Sequence, residues 1–147
     1  MKAAAHPFRP FQLAGALALL LCIAGQVDAH EANRGTAVAS LLARELAGQP
    51  DREVVMLTVE YPPGGKSEPH RHEAQVFVYV LAGTLRTQVA GQAAMTLKAG
   101  GTFYENPQDV HVSSANASTT EPVKFLVVMV KDKNKPASLP ATGGNAP

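Results

Sequence analysis

The sequence predicts an all-β fold, an antiparallel sandwich or barrel built from many short strands. Six apolar or alternating runs follow one another between residues 75 and 130. Glycines or an Asn-Pro pair separate most of these runs, as turns do between strands that follow one another in an antiparallel sheet. The residues between the runs lack a helical pattern long enough for the crossovers of a parallel sheet. An antiparallel arrangement is therefore expected.

Composition restricts the class of protein. The chain has 147 residues, enough for one domain but too few for two independent cores. Hydrophobic residues make up 46% and charged residues 17% of the chain, which favours a packed core over global disorder. The 13 basic and 12 acidic residues nearly balance, so a nucleic-acid partner is not expected. Because Cys22 is the only cysteine, a disulfide framework and a cysteine-based zinc site are excluded.

Residues 1–29 have the features of a secretory signal peptide. Two basic residues precede an apolar stretch over residues 13–25, and Val27 and Ala29 provide the small-residue pattern of a cleavage site. We predict cleavage before His30 and export, either to the periplasm or out of the cell. The apolar stretch is shorter than the ~20 residues that span a bilayer, so stable membrane insertion is not expected after processing. An uncleaved N-terminal anchor is the alternative.

The segment 30–51 is predicted to be a polar N-terminal leader with one apolar cluster, AVASLLARELAG. Its apolar residues lie at helical spacing, so a short helical turn is one interpretation; an edge segment packed on the main body is the other. The pattern then changes, and residues 52–61 are rich in β-branched side chains, which predicts a strand.

Further strands are predicted at 75–82, 84–90, 93–99, 101–105, 110–114 and 123–130. The last of these is apolar on both faces from residue 125 onward, which predicts a central strand or a subunit contact. The main domain is therefore expected over residues 52–131. The segment 132–147 is rich in Pro, Gly and Ala and is predicted to be a disordered tail.

Three histidines form a candidate metal site. His70 and His72 are two residues apart, so their side chains share one face of an extended segment. His111 begins another predicted strand after a Pro-containing turn. A barrel can bring the two strands together, and three imidazoles would then cover one face of a divalent metal and leave its other positions open. The alternative is three unconnected histidines on exposed strands or loops.

The stretch 64–83 resembles the first motif of the cupin superfamily. That motif has a glycine, five residues, H-x-H, three or four residues, a glutamate, six residues and a glycine. Every spacing fits, but Val76 stands where the motif has its glutamate. Because residues of equal parity share a strand face, Glu73 and Gln75 lie on the face opposite to the histidines and are poor substitutes.

The stretch 100–116 resembles the second cupin motif, G-x5-P-x-G-x2-H-x3-N, more loosely. Pro107 lies four residues before His111 rather than five, and Asn116 is one position late. Either Gln108 or Asp109 replaces the motif's second glycine.

The resemblance implies a single-domain jelly-roll β-barrel of two antiparallel sheets, with a site in its mouth. It implies that His70, His72 and His111 bind a divalent transition metal, namely iron, manganese, nickel or zinc. It also implies a small-molecule ligand or substrate and a homodimer, since cupins commonly pair.

Glu105 and Tyr104 are the candidate catalytic residues. Glu105 lies six residues before His111 at the end of a predicted strand. A metal ligand, a group that orients a ligand histidine and a general base are three roles open to it, and a solvated carboxylate at a loop edge is the alternative. Tyr104, like Tyr79, is expected either to supply a hydroxyl to the cavity or to pack in the barrel.

Three functions follow from this pattern. The leading one is a metal-dependent oxygenase-type enzyme acting on a small molecule, on the resemblance to the three-histidine thiol dioxygenases among cupins. A cupin isomerase or lyase is the second, and a non-catalytic exported module that binds a small ligand or metal is the third. The missing glutamate at position 76 keeps the third interpretation open.

Overall fold

Eleven β-strands make up the regular secondary structure of residues 35–141, the part of the chain that the computed structural model describes. Within that span no helix is long and apolar enough to cross a membrane. The predicted signal peptide and residues 142–147 lie outside the described residues. The strands are β1 (Ala37–Leu46), β2 (Gln49–Tyr61), β3 (Lys66–Ser67), β4 (His70–Arg71), β5 (Ala74–Ala82), β6 (Thr84–Val89), β7 (Met95–Lys98), β8 (Thr102–Glu105), β9 (Val110–Asn116), β10 (Val123–Asp132) and β11 (Leu139–Pro140).

The strands form two antiparallel sheets. One has five strands in the order β1-β2-β10-β5-β8, and the other has the order β11-β4-β9-β6-β7 with β3 added beside β9. From β8 to β10 the chain alternates between the two sheets, as a jelly roll does. The predicted all-β fold is confirmed, and the six strands expected between residues 75 and 130 are present within two residues at each end.

The alternation of side chains along the strands produces the core. On β5, Ala74, Val76 and Val78 are buried while the residues between them are exposed. The expected central strand is β10, which lies between β2 and β5. Its side chains Val127 and Met129 point into the space between the sheets and are buried there. Burying apolar area on this inner face is the main stabilising contribution to such a fold.

The turn from β5 to β6 requires glycine at position 83. Gly83 has a φ of 76°, in the left-handed region that side-chain-bearing residues avoid. A Cβ atom there would also collide with the carbonyl oxygen of Pro122 and lie 2.9 Å from the Cα of Val123. The last glycine of the first motif therefore lets the chain turn against its neighbour.

The apolar cluster at residues 37–48 forms an edge strand, not a helical turn. Strand β1 pairs antiparallel with β2 over its whole length. A register shift between Ser40 and Leu42 leaves Leu41 without a pairing partner, which shifts the apolar residues out of strict alternation. This bulge explains why the spacing resembles that of a helix.

Residues 132–141 lie against the barrel, although the sequence predicts disorder from residue 132. We call residues 133–141 the C-terminal strap. At its root, Lys131 is only 5% exposed; its Nζ lies 2.6 Å from a Glu53 carboxylate oxygen and donates to the carbonyl of Lys135 at 2.6 Å. Further along, Leu139–Pro140 pairs with β4 as β11. Composition does not reveal this order, because two of the partners involved, Glu53 and β4, lie far away in the sequence.

Candidate functional site

The three histidines meet where β4 and β9 pair. Strand β4 begins with His70, the next turn carries His72, and β9 carries His111. The antiparallel register places His70 directly opposite His111. The centroid of the His70 ring lies 4.9 Å from that of His72 and 5.1 Å from that of His111. The structure thus brings together the three residues that the sequence selects.

Backbone carbonyls orient two of the imidazole rings. Nδ1 of His70 donates to the carbonyl of Glu68 at 2.8 Å, and Nδ1 of His72 donates to the carbonyl of Ala137 in the strap. Because a carbonyl only accepts, each neutral ring carries its proton on Nδ1 and keeps a lone pair on Nε2. Burial lowers the pKa of His70, which favours this neutral form. A neutral imidazole is the form that binds a metal.

Glu105 supplies a buried carboxylate beside the histidines. Its side chain is 2% exposed, so it is not a solvated group at a loop edge. Its Oε1 lies 3.3 Å from Nδ1 of His111, and its Oε2 lies 3.9 Å from Nε2 of His72. Oε2 is buried and finds no hydrogen-bond partner among the described residues. A buried carboxylate oxygen without a partner is costly, which is typical of a group kept for function.

The register of two strands explains why this carboxylate matters. Val76 on β5 is the direct partner of Glu105 on β8, and both side chains are buried on the inner face. Val76 occupies the position where the first cupin motif has its glutamate. The carboxylate therefore lies on the neighbouring strand, across from the place where the motif would put it.

Sequence reasoning missed a residue behind His111. The hydroxyl of Thr87 lies 2.6 Å from Nε2 of His111, and Thr87 is fully buried on β6. Such a partner fixes the orientation of a histidine ring. A signal was present, since Leu85 and Val89 share the inner face with Thr87. A threonine between two apolar inner residues indicates a buried polar contact.

Tyr104 is not at the site, contrary to the expectation for a catalytic residue. Strand β8 alternates, so Phe103 and Glu105 point inward while Tyr104 points outward and is 40% exposed. The ring of Tyr104 contacts Phe77, with centroids 5.0 Å apart. Tyr79 likewise lies on the exposed face of β5. Neither tyrosine can give its hydroxyl to the cavity.

The second motif positions the loop before His111. Gln108 has a φ of 74°, so it, and not Asp109, adopts the conformation of the motif's glycine. Its backbone N–H donates to the carbonyl of His72 at 2.8 Å and so joins the two motifs. Asn116 is buried and donates to the carbonyls of Pro62 and Glu121, which makes it a structural residue.

The donor chemistry of the site fits a transition metal. Within residues 35–141, no group of three or more His, Cys, Asp or Glu side chains is already close enough together to hold a metal ion. The site nevertheless offers imidazole nitrogens and an unpartnered carboxylate oxygen, which are the ligands that iron, manganese, nickel and zinc accept in proteins. A cation would also satisfy the buried oxygen of Glu105.

The histidines form one wall of a cavity of about 510 Å³ between the sheets. The inner faces of β2, β10, β5 and β8, the strand that carries Glu105, form the opposite wall. Ala137, Ser138 and Pro140 of the strap close the cavity on the side of His72. The strap thus both orients a histidine and bounds the space beside it.

Comparisons with known proteins identify the fold family. Residues 57–129 match the description of a cupin domain. No curated protein sequence matches the chain at a significant level. Many solved structures do.

Three of these structures illustrate the range. The DMSP lyase DddQ from Ruegeria pomeroyi has 19% identity and a TM-score of 0.60, over 76% of this chain and 54% of its own. An oxalate oxidase in complex with the substrate analogue glycolate has 25% identity and a TM-score of 0.56, over 73% and 55%. A cupin domain from Bordetella pertussis has 23% identity and a TM-score of 0.52, over 66% and 94%.

The chain spans about half the length of the lyase and of the oxidase. These matches agree with the two antiparallel sheets of the barrel. The barrel of this chain is a domain of the cupin superfamily.

Proposed function

We propose that this cupin domain binds one divalent transition metal ion through His70, His72, His111 and Glu105. The observation that carries the proposal is the buried Oε2 of Glu105, which lacks a hydrogen-bond partner in the described part of the chain and faces the histidine cluster. Iron, manganese, nickel and zinc all suit a set of imidazole and carboxylate ligands.

Each proposed ligand has a partner that holds it in place. The carbonyls of Glu68 and Ala137 leave Nε2 of His70 and His72 free to bind the metal. Thr87 holds the far nitrogen of His111. Glu105 takes the role of the glutamate that Val76 replaces, from the strand beside it. Partners of this kind usually change metal affinity about 10–100-fold when they are removed.

The proposed activity is oxygenase-type chemistry on a small molecule held in the cavity. A bound metal ion would supply Lewis-acid or redox chemistry there. The chain's own residues would hold the substrate against the apolar wall and exclude water. Isomerase or lyase chemistry and simple ligand binding are the competing functions. The solved relatives include both a lyase and an oxidase, so the fold leaves the choice among these chemistries open.

Metal content tests the proposal first. We expect about one equivalent of metal per untagged full-length chain, measured by elemental analysis after purification or after reconstitution with ferrous, manganous, nickel or zinc ions. The His70→Ala/His72→Ala variant should retain less than a tenth of the wild-type content. Tyr104→Phe is the matched control, because this residue lies on the outer face, and its content should not change. Absence of metal from the wild type after all four reconstitutions would refute the proposal.

Oxygen consumption then separates the enzyme from the binding module. The metal-loaded protein should consume dioxygen with at least one member of a panel of small thiols, phenols and diketones, and the His70→Ala/His72→Ala variant should not. A protein that binds metal and ligand without consuming dioxygen or converting the ligand would be a binding module. Conversion without dioxygen uptake would indicate a lyase or isomerase.

We also propose that the chain is exported to the periplasm or out of the cell, with cleavage before His30. The support is the sequence pattern of residues 1–29 alone. N-terminal sequencing of the protein from the exported fraction of a bacterial host should begin at His30. Protein that remains in the membrane fraction with its first residues intact would indicate the uncleaved anchor.

A further inference from the structure

We infer that the ligand of this cavity is an uncharged, mainly apolar molecule with one or two hydrogen-bonding groups. This inference deepens the proposed function, and only the contact between ligand and metal rests on it. The cavity of about 510 Å³ is large enough for a molecule of one or two rings. Its walls indicate which chemistry such a molecule should have.

Apart from Glu105 and the hydroxyl of Tyr61, the wall opposite the histidines is apolar. It is formed by side chains that alternate inward from β2, β5 and β10: Leu57, Val59, Val78, Phe125, Val127 and Met129. Because these side chains offer no hydrogen bonds, a polar ligand would lose its hydration there without compensation. An apolar ligand gains binding free energy in proportion to the apolar surface that it buries there.

The charges of the cavity argue against an anionic ligand. In the part of the chain that the structure describes, no lysine or arginine lines this space. The acidic residues that line it are Glu68 and Glu105. A carboxylate or phosphate outside the reach of the metal would therefore meet no cation and two carboxylates. Sites that bind such anions normally provide arginine or lysine.

Apart from the histidines and the two glutamates, the polar side chains that line the cavity are hydroxyls, which suits a ligand with one or two hydrogen-bonding substituents; they belong to Thr36, Tyr61, Ser67, Ser114 and Ser138. Ser67 lines the cavity, and its hydroxyl is buried and has no hydrogen-bond partner within residues 35–141. The hydroxyls of Tyr61 and Ser114 already bond to each other at 3.1 Å. A hydroxyl, carbonyl or amine on the ligand would satisfy Ser67, while a second donor atom reaches the metal.

A matched pair of fluorescent probes tests this inference. N-phenyl-1-naphthylamine is neutral, and 8-anilino-1-naphthalenesulfonate adds one sulfonate to the same skeleton. We titrate both into the full-length protein in the presence of a chelator. The neutral probe should bind once per chain with a Kd at least tenfold lower than that of the sulfonate, and millimolar oxalate should not displace it. A sulfonate that binds equally well or better would overturn the inference.

Two variants with the same substitution locate the probe. Val38 lines the cavity but is 62% exposed at its edge, so Val38→Arg should fold and place a cation beside the ligand. This variant should reduce the preference for the neutral probe at least tenfold. Phe77→Arg puts the same charge on the outer face of β5 and should leave the preference unchanged. A larger effect of Phe77→Arg would place the probe on the outer face and refute the inference.

The two proposals fail in different ways. Probe binding is measured without metal, so a protein that prefers the neutral probe but never acquires metal refutes the metal site alone. A protein that binds metal but prefers the sulfonate probe refutes the ligand class alone. The His70→Ala/His72→Ala variant, measured with the neutral probe, should keep its affinity within about threefold, because the apolar wall supplies the binding free energy.

Discussion

Replacing Glu105 with valine should stabilise the metal-free protein and weaken its metal binding at the same time. The carboxylate is 2% exposed, and one of its oxygens has no hydrogen-bond partner in the described chain. Replacing buried ionic groups with well-packed apolar side chains is often neutral or stabilises a protein by about 1–4 kcal/mol. His111 would keep its contact with Thr87 at Nε2 but would lose Oε1 of Glu105 beside Nδ1, which offsets part of the gain. We therefore expect a net gain near the lower end of that range.

Thermal and urea unfolding in a chelator measure this gain. In a domain of this size, 1 kcal/mol corresponds to roughly 4 °C in Tm. The control is Glu105→Gln, which removes the charge but keeps a polar group that still needs partners, so its gain should be smaller. Calorimetric metal titration of Glu105→Val should show an affinity at least about 100-fold lower, since a ligand is lost rather than a partner of a ligand.

A transplant of the carboxylate tests the geometric argument directly. Val76 and Glu105 are register partners, and such side chains have Cβ atoms about 4.5–5.5 Å apart. The double variant Val76→Glu/Glu105→Val should bind metal at least tenfold more tightly than Glu105→Val alone. Val76→Glu alone should lower the free energy of unfolding, because it places two carboxylates side by side. Destabilisation of metal-free Glu105→Val by more than 1 kcal/mol would refute the reasoning.

Three further predictions follow from the fold. Gly83→Ala should destabilise the protein by about 2–4 kcal/mol, because it adds both backbone strain and a clash. Gly91→Ala is the control: its φ is also positive but nothing lies near its Cβ position, so it should cost about 1 kcal/mol. Urea unfolding measures both values. The hydrogen bond between Lys135 and Glu73 lowers the pKa of the Glu73 carboxyl and raises the pKa of the Lys135 amine. The bond therefore stabilises the strap fully at a pH above 4.5, the ordinary pKa of glutamate. This stabilisation is lost as the pH falls through the lowered pKa of Glu73. It is lost again as the pH rises through the raised pKa of the amine; proton NMR of strap amides should show both losses, and Glu73→Gln should abolish the acid one. The predicted homodimer should bury the exposed Phe77, so Phe77→Ser should yield a monomer in sedimentation; an unchanged dimer would exclude this face.

The sequence predicted those features that depend on local periodicity. Alternation along residues 74–82 determines which side chains face the core, and this holds wherever the strand lies in a sheet. The same parity puts His70 and His72 on one face. The final glycine of the first motif could be recognised at position 83 because the turn there tolerates no side chain. The cupin fold could therefore be predicted without coordinates.

The remaining features depend on contacts between distant parts of the chain. That Glu105 faces Val76 follows from the register between β5 and β8, which lie about thirty residues apart. A shift of one residue would have put Tyr104 inside and Glu105 outside, so the choice between these two candidates could not be made from the sequence. The strap is ordered because Glu73 binds Lys135 and β4 pairs with β11, and both of these partners lie about sixty or more residues earlier in the chain. The local sequence pattern determined which residues face inward. Only the tertiary structure decided which of them meet, because strand register and long-range ion pairs form only when distant parts of the chain fold together.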